Sequence, residues 1–89
     1  MLTVRYKPSF VREFKKLPVA LQTEALERIA LFADPTHHEQ LRVHKLKGKL
    51  KGFYSFSISY SHRIVFAYVD RSTVVFLAVG DHDVYRQGH

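Results

Sequence analysis

The sequence predicts an α+β domain in which a two-helix hairpin packs on one face of a twisted, mainly antiparallel four-stranded sheet. Apolar side chains recur at helical spacing between residues 9 and 33, and at strand spacing between residues 54 and 79. Short, turn-prone links separate the later strands, as in antiparallel hairpins. The order β-α-α-β-β-β therefore gives one helical layer on one sheet. A chain of 89 residues has room for a single core, so residues 1–89 are predicted to form one domain.

The first half of the chain predicts a strand followed by two helices. Residues 2–7 alternate between apolar and polar side chains and stop at Pro8, which indicates a short strand at the edge of the sheet. Ser9 is a suitable N-cap for the first helix, and the second begins after Pro18 and ends at residues 34–35. The predicted buried stripe comprises Phe10, Phe14, Leu17, Leu21, Ala25, Leu26, Ile29, Phe32 and Ala33. The residues predicted to face solvent are Gln22, Glu24, Glu27 and Arg28.

The second half predicts three strands. Residues 54–60 alternate aromatic or aliphatic side chains with serines, which is typical of a half-buried strand with one polar face. Residues 64–69 and 74–79 are continuously apolar, which is typical of central strands covered on both faces. Because two helices cover only one face, we expect the other face to leave an apolar groove for functional groups or a partner.

The composition excludes several classes of protein. The chain has no cysteine, so it offers no disulfide, no thiolate nucleophile and no zinc–thiolate site. No apolar segment approaches the ~20 residues of a membrane span, and the first residues lack the apolar stretch of a signal peptide. We therefore expect a cytoplasmic protein without membrane contact. His37 and His38 are adjacent without a supporting acidic cluster, so neither a metal nor another cofactor is predicted.

Positive charge is concentrated in one segment. The chain has a formal net charge of +6, and residues 42–51 contain five cations, one histidine and no acid. Such a cluster favours a polyanion or an acidic protein as partner, and the aromatic residues that follow could stack on a base. For each lysine taken alone, a solvated face is the favoured interpretation. The residues predicted to contact RNA or the ribosome are Arg42, Lys45, Lys47, Lys49, Lys51 and Arg86.

Three residues outside any metal-binding pattern could carry out RNA cleavage. This reaction needs a base for the 2′-hydroxyl, an acid for the leaving 5′-oxygen, and a cation for the charged phosphorane. His44 lies among cations that disfavour its imidazolium, which suits the base, and His82 lies between two aspartates that favour it, which suits the acid. Arg63 would bind the phosphate. The alternatives are a surface ion pair with a nearby aspartate for Arg63 and a structural role for His82.

The order and spacing of these segments resemble the RelE/ParE superfamily of small bacterial type II toxins. The resemblance is nearer to the RelE, YafQ and YoeB ribonucleases than to the ParE gyrase poisons. It covers the opening strand, the hairpin 9–33, the segments 44–48 and 52–53, the hairpin 60–66 and the tail 79–86. The resemblance implies a ribosome-dependent messenger-RNA endonuclease. It also implies that a cognate acidic antitoxin holds the toxin inactive in a hetero-oligomer.

The resemblance also implies roles for single residues. His44 matches the base of YafQ-like enzymes, and Arg63 matches the phosphate-binding arginine. His82 occupies the place of the acid histidine, or of an arginine in RelE itself. Tyr85 matches a C-terminal aromatic residue that orients or stacks on the messenger base.

The second predicted strand departs from these relatives. Ser55 and Ser57 stand where RelE has lysines, and Ser57, Ser61 and His62 stand where YafQ has a histidine, an aspartate and a tryptophan. The catalytic set would therefore be small. Two alternatives remain: a ParE-like inhibitor that binds DNA gyrase without cleaving RNA, and a catalytically inactive RNA- or partner-binding module of the same fold.

Overall fold

The structure is a computed structural model that describes residues 1–86, with the side chain of Arg86 outside the described part. Its strands are β1 (Thr3–Tyr6), β2 (His44–Lys45), β3 (Tyr54–Ser57), β4 (Arg63–Asp70) and β5 (Thr73–Gly80). The helices are α1 (Pro8–Lys15) and α2 (Val19–Phe32), with short 3-10 helices at Pro35–His37, Gly48–Leu50 and His82–Arg86. Within residues 1–86, no helix has the length and apolar character that crossing a membrane requires.

The strands form one mixed sheet in the order β1-β5-β4-β3-β2. The β1 strand pairs parallel to β5 at one edge, and the other pairs are antiparallel. The predicted fold class is confirmed. The predicted strand number is wrong by one, because two residues of the basic segment pair with Ser55 and Tyr54 as an additional edge strand.

Helix α1 covers the part of β5 that extends beyond β1. The Ser9 hydroxyl donates to the Leu77 carbonyl at 3.4 Å, and the Val79 N–H donates to the Glu13 carboxylate at 3.1 Å. These contacts satisfy backbone groups at an otherwise open strand edge. The prediction that Ser9 caps α1 is wrong, since the helix begins at Pro8 with Lys7 as N-cap and no side-chain cap. Proline needs no N–H partner at the first helical position.

The core between the helices and the sheet is built from phenylalanine rings. The Phe32 ring lies 4.6 Å from Phe56, 4.8 Å from Phe66 and 5.5 Å from Phe76, measured between ring centroids. Phe10 joins this group through Phe76 at 5.4 Å. All five side chains are buried. Truncation of such a ring to alanine costs about 3–5 kcal/mol, so α2 is firmly fixed on the sheet.

The orientation of α2 differs from the prediction at four positions. Leu26 was expected in the core but is 58% exposed, beside an apolar groove of about 230 Å³ between α1 and α2. Gln22, Glu24 and Arg28 were expected to face solvent but are only partly exposed. The apolar stripe of α2 is wider than the surface that the sheet offers, so one side of it is left uncovered.

The second face of the sheet is not left open. Val65 and Ala78 are buried on this face by Val84 of the last 3-10 helix. Tyr85 and Phe53 pack against the same cluster. The expected apolar groove is therefore wrong here, because a segment too short to show periodicity folds back over the sheet. A polar concave surface lies instead at one end of the sheet.

Candidate functional site

A cleft of about 420 Å³ lies at the end of the sheet where β3 and β5 finish and β4 begins. Helix α2 and the segment before β2 form its other walls. The lining residues are Glu24, Arg28, Gln40, Arg42, Ser57, Ile58, Ser59, Tyr60, Arg63 and His82. Three of these are arginines and one is a carboxylate, so the cleft has a positive charge suited to an anionic ligand.

Arg63 lies at the centre of this end of the sheet. It opens β4 and pairs with Ser57 of β3 on one side and Gly80 of β5 on the other. One nitrogen of its guanidinium donates to the Ser59 carbonyl at 3.3 Å and to the His62 carbonyl at 3.4 Å. The alternative ion pair with an aspartate does not form within residues 1–86. The remaining guanidinium donors can therefore bind a ligand in the cleft.

His82 reaches the same cleft from the end of β5. It begins the last 3-10 helix and is exposed. A Cβ atom at Gly80 would lie 2.9 Å from Cγ1 of the buried Val84, so a side chain at this position would collide with the returning chain. Gly80 thus permits the tight turn that brings His82 beside Arg63.

His44 lies on the same face of the sheet as Arg63. It pairs with Ser55, Arg63 pairs with Ser57, and side chains two residues apart on β3 share a face. The Nδ1–H of His44 donates to the Arg42 carbonyl at 2.8 Å, because a carbonyl can only accept. In the neutral ring this bond leaves the lone pair on Nε2, as a base requires. The exposed His44 ring is next to the cleft but does not line it.

Tyr85 is placed differently from the other three candidates. Its side chain is half-buried, and its hydroxyl shares a 3.0 Å hydrogen bond with the fully buried Ser55 hydroxyl. Its ring centroid lies 6.1 Å from that of His82. Tyr85 does not line the cleft. Its position therefore supports the segment that carries His82, and a role in base stacking stays a prediction.

The predicted RNA-binding cations are all exposed from Arg42 to Lys51. Arg42 alone of these lines the cleft, while the lysines follow β2 and the 3-10 helix Gly48–Leu50. The side chain of Arg86 falls outside the described part. Within residues 1–86, no three His, Cys, Asp or Glu side chains are grouped so that they could hold a metal ion.

Seven of the ten lining residues were not among the predicted site residues: Glu24, Arg28, Gln40, Ser57, Ile58, Ser59 and Tyr60. For Glu24 and Arg28 of α2, the sequence offered one indication, which was the i,i+4 spacing of their opposite charges. The two side chains do approach to 3.8 Å. Tyr60 gave a misleading signal, because it continues the alternation of β3.

Comparison with known proteins identifies the family. The profile described as ParE toxin of type II toxin–antitoxin system, parDE, matches residues 4–84. The chain belongs to this toxin family. A comparison with curated proteins gave no significant match to the toxin.

The toxin is also similar to solved structures. The RelBE2 toxin–antitoxin complex from Mycobacterium tuberculosis matches with 28% identity and a TM-score of 0.69, over 91% of this chain and 98% of that chain. The YoeB–YefM complex from Staphylococcus aureus matches with 22% identity and a TM-score of 0.71, over 92% and 98%. YafQ from E. coli matches with 11% identity and a TM-score of 0.69, over 98% and 100%. At these identities, YoeB and YafQ support the fold alone.

Proposed function

We propose that this toxin is a ribosome-dependent messenger-RNA endonuclease that inhibits translation. The observation that carries the proposal is the shared cleft of Arg63 and His82, with His44 beside it on the same face. RNA cleavage needs a cation and two proton-transfer groups. Arg63 supplies the cation, and the imidazoles of His82 and His44 supply the two proton-transfer groups. A protein that only binds a partner has no need of this combination.

The proposed reaction is an internal transesterification. Nε2 of His44 takes the proton of the 2′-hydroxyl, and the 2′-oxygen attacks the neighbouring phosphorus. Arg63 stabilises the additional negative charge on the phosphorane through its free guanidinium donors. Protonated His82 donates its proton to the 5′-oxygen as the phosphorus–oxygen bond breaks. The products are a 2′,3′-cyclic phosphate and a 5′-hydroxyl, and the two histidines have exchanged protonation states.

The proposed partner in the resting state is an acidic antitoxin. RelBE2 and YoeB–YefM are toxin–antitoxin complexes, and the exposed cations of residues 42–51 offer a complementary surface for an acidic chain. We propose that the antitoxin forms a hetero-oligomer with the toxin and shields these cations from messenger RNA and the ribosome.

The test is messenger-RNA cleavage in a translating extract. We expect His82→Ala to lower the cleavage rate by about 10²–10⁴-fold, as for the loss of one proton-transfer group. Arg63→Ala should lower it through loss of phosphorane stabilisation, by about 10²–10³-fold if the arginine acts like one oxyanion-stabilising donor. Arg71→Ala is the matched control, because Arg71 is exposed just beyond the other end of β4. Unchanged cleavage in both site variants would rule out the proposed site.

The second candidate is a ParE-like inhibitor of DNA gyrase, which the matching family profile favours. The translating extract and a supercoiling assay with purified gyrase together distinguish the two functions. Intact messages together with blocked supercoiling by purified gyrase would assign the toxin to the gyrase inhibitors.

A further inference from the structure

We infer that Tyr60 and Arg42 form a nucleotide subsite beside Arg63, in which Tyr60 stacks on a base of the bound RNA and Arg42 binds an adjacent phosphate. The inference rests on the proposed function for the nature of the ligand as RNA. It adds a specific binding contact that lies outside the proposed acid–base set.

Tyr60 is an unusual aromatic residue in this fold. Its side chain is 100% exposed, although its sequence position continues the alternation of β3. Exposing a tyrosine ring forgoes the burial that stabilises the other aromatic residues of this small domain. The ring lies on the rim of the cleft together with Arg63 and Ser59. A ring with a free face next to cations is the arrangement on which single-stranded nucleic acids stack.

The turn that carries Tyr60 is held by several hydrogen bonds. The Ile58 N–H donates to the His62 carbonyl at 3.1 Å, and the His62 N–H donates to the Ser59 hydroxyl at 3.2 Å. The carbonyls of Ser59 and His62 also accept from Arg63. The position of the Tyr60 backbone is thus linked to that of Arg63, so a base stacked on Tyr60 would be held in fixed relation to the phosphate site.

Arg42 lies on the opposite side of Ser57 from Arg63. The Ser57 N–H donates to the carbonyl of the buried Leu41 at 3.1 Å, which places residues 41–42 alongside the end of β3. Arg63 pairs with Ser57 from the other side, so the two arginine backbones are separated by about two strand spacings, or roughly 10 Å. Arg42 has a φ of 60°, which is a strained conformation for arginine. Its side chain lines the cleft.

The charges of the cleft favour two phosphate contacts. Among the lining residues that the structure describes, Glu24 is the only carboxylate, and it lies 3.8 Å from Arg28. Arg42 and Arg63 therefore have no compensating acid within the lining. An acidic peptide would use these two cations alone, whereas a nucleotide would use the cations and the exposed ring. The presence of the Tyr60 ring on the same cleft thus favours RNA.

The test measures binding of RNA that cannot be cleaved. The probe is a single-stranded, fully 2′-O-methylated oligonucleotide of about 12 nucleotides, and its affinity for the full-length toxin is measured by fluorescence anisotropy. We expect Tyr60→Ala to weaken binding about 5- to 100-fold, and Tyr60→Phe to retain it, because phenylalanine keeps the ring face. A series of probes, each with one abasic site at a different position, locates the nucleotide that Tyr60 contacts. At that position we expect wild type and Tyr60→Ala to bind with the same affinity, because the base that stacks on the ring is missing.

Arg42→Ala should weaken binding and lower the dependence of log affinity on log salt concentration by about 0.7, as for the loss of one phosphate contact on a single strand. Arg71→Ala is again the control and should leave the affinity unchanged. A Tyr60→Ala protein that binds like wild type overturns the inference, as does a toxin that shows no binding of the probe. Equal affinity for a polyglutamate peptide, with dependence on Arg42 alone, would overturn it in favour of an acidic-peptide site.

Failure of this inference is distinguishable from failure of the proposed function. Tyr60-dependent binding by a toxin that cuts no message would retain the subsite and remove the endonuclease. Cleavage that depends on His82 and Arg63, combined with normal binding by Tyr60→Ala, would remove the subsite alone.

Discussion

The backbone of one strained residue controls the tautomer of the proposed base. Arg42 adopts a φ of 60°, and its carbonyl accepts the Nδ1–H of His44. Without this acceptor, a free imidazole would exchange between its two neutral tautomers. The left-handed backbone conformation of Arg42 costs about 1–3 kcal/mol. The carbonyl of the same residue fixes the orientation of the His44 ring and therefore of its Nε2 lone pair.

This arrangement predicts a separation of function at His44. In His44→Asn the side-chain amide can still donate to the Arg42 carbonyl, but nothing replaces Nε2. We expect unfolding midpoints within experimental error of wild type and a fall in cleavage of about 10²–10⁴-fold. Thermal unfolding and cleavage in a translating extract are the measurements. Cleavage at the wild-type rate by His44→Asn would exclude His44 as the base.

The Ser55–Tyr85 hydrogen bond predicts an asymmetric pair of mutants. Ser55 is fully buried, so Tyr85→Phe leaves a hydroxyl without a partner and should cost about 1–3 kcal/mol of unfolding free energy. Ser55→Ala leaves the hydroxyl of the half-buried Tyr85, which water can reach, and should cost less, about 0.5–1.5 kcal/mol. Chemical denaturation of both single mutants and the double mutant measures the coupling. Additive effects would show that the two hydroxyls contribute independently.

Among the elements, the turn from β5 into the last 3-10 helix determines where His82 lies. A methyl group at Gly80 would meet Val84 Cγ1 at 2.9 Å, and Val84 is buried against Val65 and Ala78. We expect Gly80→Ala to destabilise the fold by about 1–3 kcal/mol, as overpacking does, and to reduce cleavage by displacing His82.

A second substitution tests this explanation. Val84→Ala removes the colliding methyl, so Gly80→Ala should cost less in the Val84→Ala background than in wild type. Denaturant unfolding of the four proteins gives the interaction energy directly. An equal cost of Gly80→Ala in both backgrounds would contradict a clash with Val84.

The elements with regular periodicity were predictable from the sequence, and the irregular ones were not. Residues 9–33 and 64–79 gave helices and central strands as expected, because their repeats of about 3.6 and 2 reflect one buried face. The two-residue strand β2 and the last 3-10 helix are too short to show a repeat. Tyr60 was wrongly placed in β3, since alternation continues past the point where the Ile58–His62 hydrogen bond closes the turn.

The geometry of an antiparallel hairpin predicts that Arg63 and His82 converge, but it does not predict which residues of α2 reach the cleft. In an antiparallel hairpin the start of one strand lies beside the end of the next, so Arg63 and the residues after β5 must meet. Whether Arg28 lines the cleft depends on how α2 is rotated about its axis on the sheet. The packing of the phenylalanine rings between α2 and the sheet fixes that rotation. The sequence pattern of a single helix is not sufficient to predict it.

At the scale of the whole molecule, the excess of positive charge makes the few carboxylates important for stability. The chain has 14 lysines and arginines against 8 aspartates and glutamates. Protonation of any carboxylate increases the self-repulsion of the fold. Asp34 and Asp70 in addition accept hydrogen bonds that favour the charged carboxylate and lower its pKa, and both lie in connections between elements.

The pKa of Asp34 and that of Asp70 are both lowered from the ordinary value of 3.8, mainly by hydrogen bonds from the backbone N–H groups of Thr36 and Ser72. The corresponding distances are 3.0 Å and 2.9 Å. Because the folded state has the lower pKa, the stabilisation is fully present above the unfolded value. It is lost as the pH falls through the lower folded value.

We therefore expect the unfolding free energy to decline on acidification below about pH 4, and the decline to be shallower in the double mutant Asp34→Asn/Asp70→Asn. Urea denaturation from neutral pH down to pH 2.5, in steps of about half a unit across this window, measures the slope. Glu27→Gln is the matched control, because Glu27 is exposed on α2 and has none of these backbone hydrogen bonds. If the double mutant declines as steeply as wild type, these two turns do not contribute to the acid sensitivity. The general repulsion of a protein with a net charge of +6 would then have to account for it.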